Sequence, residues 1–217
     1  MSGGRKPQET AARQRGRPIA FDRETALRAA LDLFWKRGFE AVTASDLAEA
    51  MAITRSSFYN SFGDREAVFK EALEVYKRLS PDAVLGRIAP GQPVVPVIRK
   101  MFREICRMRA ADPEARGCLI VNAIGELVGV NEILSCTIED AVRSSLLVWE
   151  MLIGQAADQS EIARPARIQA TAQSFVTFII GLNAISKILH TENELWLLCQ
   201  DFLEANGMAG DEVEILS

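Results

Sequence analysis

Four capping residues divide residues 22–79 into short helices of unequal length, and this punctuation constrains the chain more than any other feature. Asp22, Thr43, Thr54 and Asp64 all carry a side-chain oxygen that can accept free backbone N–H groups at a helix start. Asp22 opens a helix running to residue 37, and Gly38 follows it as helix-ending glycines do. Ala26, Ala30, Leu33 and Phe34 form its apolar stripe. Thr43 with Asp46 is a variant of the capping box, opening a short helix with Leu47, Ala48 and Met51 on its inner side. Thr54 caps a third helix over 54–61. Asp64 caps a fourth over 65–79, with Val68, Phe69, Ala72, Leu73 and Tyr76 as its stripe. Two short helices joined across Ala50-Met51-Ala52-Ile53 have the form of a helix-turn-helix. The same spacing also suits a plain helical hairpin within a core.

Beyond this block, Ser80–Pro96 holds Pro81, Gly86, Pro90, Gly91, Pro93 and Pro96, which no continuous helix tolerates. Helical periodicity then returns near 97–111, 117–128, 131–159, 165–190 and 192–206, with Pro113, Gly129 and Pro165 at the joints. Strand-type alternation is absent, so the expected fold is all-α. Three segments follow: a flexible basic arm over 1–20, a helix-turn-helix unit over 21–79, and a helical bundle over 80–217.

The chain has 217 residues, 48% hydrophobic and 25% charged, which excludes a disordered or collagen-like protein. No apolar run of about 18 residues lacks charge or strong polarity, so no membrane span is expected. Met1–Arg17 lacks the apolar centre of a secretory signal, and a cytoplasmic location is expected. The four cysteines (Cys106, Cys118, Cys136 and Cys199) include no CxxC, and His190 is the single histidine. A structural zinc site of ordinary spacing is excluded, and neither metal nor cofactor is expected. One histidine also removes most histidine-based catalytic arrangements.

Charge is uneven. Residues 1–78 hold 14 Lys and Arg against 11 Asp and Glu, net +3, whereas 79–217 hold 11 against 18, net −7. Arg5, Lys6, Arg13, Arg15 and Arg17 face only Glu9 in the first 17 residues. A basic start on an acidic body suits a polyanion met at one end, or equally a solvated tail. The third helix opens with Thr54, Arg55, Ser56 and Ser57. Short hydroxyl side chains let a helix sink into a major groove, and arginine can meet guanine with two hydrogen bonds.

Residues 22–69 resemble the DNA-binding domain of the TetR family of transcriptional repressors. The resemblance rests on Ala29-Ala30-Leu31-Asp32-Leu33-Phe34 with Gly38-Phe39, then on Thr43-Ala44-Ser45-Asp46-Leu47-Ala48. It continues through Ile53-Thr54-Arg55-Ser56-Ser57-Phe58-Tyr59-Asn60-Ser61-Phe62 and Asp64-Arg65-Glu66. Ala52 and Ser56 stand where the family often has glycine, and Arg65 where it often has lysine. The resemblance implies that Thr43 and Ala44 sit by phosphates and that Thr54, Arg55, Ser56 and Phe58 face base edges. It implies that Tyr59, Asn60 and Arg65 hold the DNA backbone, and that Arg15 and Arg17 of the arm reach the minor groove.

The family also binds palindromic operators as homodimers. Here the interface would come from Phe175, Ile179, Leu182 and Ile185 of one late helix and Leu195, Trp196, Cys199 and Phe202 of the next. A ligand cavity is expected within 97–190, with Phe102, Ile105, Cys118, Asn122, Glu126, Trp149, Phe175 and Phe178 as contacts and Met101, Met108, Leu119, Val121, Val148 and Leu152 as further candidate wall residues. Arg116-Gly117-Cys118-Leu119 resembles the Gly-Cys-Leu segment of a subgroup that includes electrophile and acrylate sensors. Cys118 lies near a helix start and close to Arg116, both of which favour a thiolate. The alternative is an inert thiol packed for its size. The overall expectation is a repressor released from double-stranded DNA by a small-molecule inducer, and not an enzyme. Two other classes stand beside it: a helical enzyme or thiol-dependent redox sensor acting at Cys118, and a helical adaptor whose hairpin binds protein.

Overall fold

A computed structural model describes residues 21–210, and among these the ordered elements are all helical. The expected basic arm, with Arg15 and Arg17, lies outside the described residues. The helices are α1 (Arg23–Arg37), α2 (Ala44–Ala50), α3 (Arg55–Phe62), α4 (Arg65–Leu79), a 3-10 helix η1 (Pro81–Arg87), α5 (Val95–Ala110), α6 (Leu119–Leu127), α7 (Glu132–Asp158), α8 (Ile168–Ile185) and α9 (Glu192–Ala205). The four early caps act as their chemistry requires. Asp22 accepts from Glu24 N and Thr25 N, Thr54 from Ser57 N, and Asp64 from Ala67 N. Thr43 and Asp46 form a reciprocal capping box. The turn between α2 and α3 places Ala52 at φ +55°, a left-handed conformation that costs an alanine energy.

Among the described residues, two apolar cores run through the molecule. The first joins Phe34, Phe39, Leu47, Phe58 and Phe69 of the N-terminal helices with Leu119, Ala123 and Leu127 of α6 and with Leu134 and Ile138 of α7. The second joins α5, α7, α8 and α9 around Phe102, Trp149 and Phe175. α8 packs along α7, and α9 along α5. The break expected at 80–96 contains η1, with Pro81 at its start, where a proline's missing N–H costs nothing. α8 stops at Ile185, earlier than expected, because Ile188 N and Leu189 N both turn back onto Ile185 O. By length and composition alone α8 passes the test for a membrane span, as core helices also do. Here it is a bundle helix whose Phe175, Val176 and Leu182 lie in the second core.

Candidate nucleic-acid interface and cavity

α3 is eight residues long, and its two faces differ sharply. Phe58, fully buried, and Phe62 point inward with ring centroids 6.0 Å apart. Arg55, Ser56, Tyr59 and Asn60 are exposed, and their side chains form no hydrogen bond or ion pair with the described residues. Thr54 is exposed, with its hydroxyl turned onto Ser57 at the helix start. The outer face of α3 therefore offers an arginine fork, an amide and two hydroxyls whose hydrogen-bonding capacity is unused. Such a set can read base edges or grip phosphates. Beside it, Thr43, Ala44, Tyr59, Asp64, Arg65 and Glu66 surround a shallow hollow between the starts of α2 and α4. Hydrogen bonds from the Thr43 side chain and backbone hold the Asp46 carboxyl below its ordinary pKa.

Two expectations for this surface need correction. Phe58 does not face outward, because the small N-terminal core takes its ring and leaves the neighbouring Tyr59 outside. Arg65 turns inward. Its Nη1 donates to Val42 O at 2.6 Å and to Phe39 O at 3.5 Å, and its guanidinium lies 4.6 Å from the Phe39 ring centre. The 39–42 turn leaves carbonyls without helical partners: Val42 N and Arg65 meet Phe39 O, Arg37 meets Ala41 O and Arg65 meets Val42 O.

The C-terminal helices enclose a cleft of about 310 Å³ between η1, α6, α7 and α8. Its wall is mainly aliphatic, including Leu85, Ile120, Val121, Ile124, Val142, Val148, Val176, Ile179 and Ile180. Polar groups enter from Lys77, Ser80, Asp82, Cys118, Ser144 and Ser145. Cys118, Val121 and Val148 were expected there. The other expected contacts lie elsewhere. Met101, Phe102, Ile105, Trp149, Leu152 and Phe175 are buried in the second core and Leu119 in the first, with Trp149 and Phe175 stacked at 4.6 Å. Phe178 stacks on Phe202 at 4.0 Å. Asn122 donates to Arg116 O at 2.9 Å. Glu126 points away from the cleft, accepting from Phe39 N at 3.1 Å and Glu40 N at 2.9 Å. Aromatic size drew the expectation toward positions that the packing of α5, α7 and α8 had already filled.

The expected interface residues are also largely internal. Phe175, Leu182, Leu195, Trp196 and Cys199 are buried against the chain's own helices, and Cys199 Sγ lies 3.5 Å from Cys106 Sγ. Ile179, Ile185 and Phe202 are half-buried, and Ile179 faces the cleft. The outer surface of α8 and α9 instead presents Gly181, Ala184, Leu197 and Leu198, with Ile188 between the two helices. A helix apolar over most of its circumference does not disclose which half meets its own chain.

A polar seam joins the two halves of the molecule. Arg109 on α5 is 5% exposed, and no carboxylate pairs with it among the described residues. Its Nε donates to Asn183 Oδ1 at 2.7 Å and its Nη2 to the Tyr76 hydroxyl of α4 at 3.2 Å. The Tyr76 ring meets Trp35 edge-on at 5.1 Å, and Trp35 Nε1 donates to Gly117 O at 3.0 Å. Arg116 lies over Trp35 at 4.3 Å and bridges to Asp32 at 2.8 Å. Burial and the neighbouring Cys118 push the Tyr76 phenol well above its ordinary pKa, outweighing the pull of Arg109.

A helical chain that displays the polar outer face of a short helix on a helix-turn-helix unit, with a cleft in the bundle behind it, has the design of a DNA-binding regulator. Residues 26–72 match the family described as bacterial regulatory proteins, tetR family, and residues 95–202 match the tetracyclin repressor-like C-terminal domain. The chain is 31% identical over 184 residues to YezE of Bacillus subtilis, an uncharacterized HTH-type transcriptional regulator, covering 80% of this chain and 90% of that protein. It is 30% identical over 111 residues to the HTH-type transcriptional repressor ComR of Escherichia coli, covering 51% of this chain and about half of that protein, 53%. A solved structure of a cysteine-substituted TetR family transcriptional regulator, CifR, complexed with 26-bp double-strand operator DNA, aligns with a TM-score of 0.75 at 29% identity, over 88% of this chain and 99% of that one. The protein belongs to the TetR family of bacterial regulatory proteins and is a transcriptional regulator.

Proposed function

We propose that the protein is a cytoplasmic, homodimeric repressor that binds a palindromic operator through α3 and leaves it when a small molecule fills the cleft. The observation that carries this reading is the outer face of α3, where Arg55, Ser56, Tyr59 and Asn60 are exposed with no hydrogen-bond or ion-pair partner among the described residues. The CifR complex with operator DNA supports the choice of partner. A single eight-residue helix reads few bases, and two copies about 34–36 Å apart would read successive turns of one duplex face. The apolar outer surface around Leu197 and Leu198 is the face assigned to the second subunit. The mainly aliphatic wall of the cleft assigns it a small apolar ligand and a binding role rather than a catalytic one.

The test begins with duplexes selected from a random library by the purified protein. Affinity for the selected duplex should fall steeply as salt rises. Arg55→Ala should weaken it by about 1–3 kcal/mol, roughly 5- to 150-fold, with no change in melting temperature. Unchanged affinity in the variant would remove α3 from the reading role. A second form of the reading arises because the Cys118 thiol lies on the cleft wall. In that form N-ethylmaleimide releases the wild type from the duplex and leaves Cys118→Ser bound; release of both would exclude it.

A further inference from the structure

α6 has two working faces. Ile120, Val121 and Ile124 line the cleft. Leu119, Ala123 and Leu127 lie in the N-terminal core, against which Ile120 and Ile124 also pack. Glu126 continues this second face, one helical repeat beyond Leu119. Its two carboxylate oxygens accept separately from Phe39 N and Glu40 N, in the turn between α1 and α2. The approach depends on Gly38, whose φ is +77°; a Cβ there would lie 2.7 Å from Glu126 Oε1. No lysine or arginine pairs with Glu126 among the described residues.

The turn is held from both sides. Arg65 takes the carbonyls of Phe39 and Val42, and Glu126 takes the amides of Phe39 and Glu40. The next residue, Thr43, caps α2. A shift of α6 would therefore pull, through the Glu126 carboxylate, on the segment that sets where the reading pair begins. The pull has a direct route to α2, separate from the α4 contact at Tyr76.

We infer that Glu126 is a positioning residue that couples occupancy of the cleft to DNA affinity, by gripping the Phe39–Glu40 backbone from α6. The inference rests on the proposed effector role of the cleft, and the test separates the two. Ala141 lies on the α7 wall of the cleft and is not part of the first core. Ala141→Phe puts a ring into the space and stands in for an occupant. Affinity for the selected duplex is measured for wild type, Ala141→Phe, Glu126→Ala and the double variant, with a thermal melt of each.

Filling the cleft should change affinity at least fivefold with Glu126 present and less than twofold with Glu126→Ala. Glu126→Gln, which keeps the size and one acceptor, should give an intermediate ratio and serves if the alanine variant does not fold. Amide exchange at Phe39 and Glu40 should respond to Ala141→Phe only when Glu126 is present. An equal change in both backgrounds overturns the role of Glu126 while the cleft keeps its own. No change even in the wild-type background overturns the effector reading of the cleft, and the coupling with it.

Discussion

Arg65→Ala discriminates between a phosphate contact and a loop staple. In the structure the guanidinium donates at 2.6 Å to Val42 O and lies 4.6 Å from the Phe39 ring centre. A hydrogen bond from a charged donor is worth about 1.5–3 kcal/mol. A cation over an aromatic face at a partly exposed site adds about 0.5–1 kcal/mol. The 3.5 Å contact with Phe39 O adds little at that length. The variant should therefore lose about 2–4 kcal/mol of folding stability before any DNA is present. With a urea dependence of about 2 kcal/mol/M, the unfolding midpoint falls by about 1–2 M. Tryptophan fluorescence reports it, since Trp35 sits in the N-terminal core. Arg65→Lys keeps the charge without the planar fork and should fall between the two. A variant that melts with the wild type but loses DNA affinity would show that the arginine serves phosphates and that its inward geometry is incidental.

Three further outcomes are expected. Tyr76→Phe removes the hydroxyl acceptor beside buried Arg109 and should cost about 1–3 kcal/mol in chemical denaturation, while Tyr76→Leu should cost more by also removing the ring against Trp35. Burial raises the Asp112 pKa, but hydrogen bonds from the Arg116 side chain and backbone and from Glu114 N outweigh it and leave the carboxyl below 3.8. Its stabilising effect is therefore present above the unfolded value and is lost as pH falls through the lower folded value. The stability gap between wild type and Asp112→Asn should be full at neutral pH and shrink below about pH 4, as followed by melts across that range. Ala52→Gly relieves the +55° φ and should raise stability by about 0.5–1 kcal/mol, or about 1–4 °C in melting temperature; a lower melting temperature would show that the turn is unstrained.

The helical order was legible because caps and breakers are local chemistry. Asp22, Thr43, Thr54 and Asp64 act within four residues of themselves, so no tertiary information is needed to place them. The direction in which side chains face was less legible. Over eight residues a 3.6-residue period cannot decide between Phe58 and Tyr59, and the packing of the N-terminal core decides it. The cleft was harder still. Ala141, Val142, Ser144 and Ser145 are unremarkable residues midway along a 27-residue helix, and they become a wall only because η1 and α8 stand opposite them. Glu126 carried no sign of its partners, since backbone amides leave no mark in a sequence.

The first core crosses the break at residue 80, taking Leu119, Ala123, Leu127, Leu134 and Ile138 from beyond it. Chimeras made by grafting residues 21–79 onto a foreign effector half would leave Phe34, Phe39 and Phe69 short of part of their apolar lid. An interchangeable cassette must therefore carry α6 and the opening turns of α7 along with the reading helices.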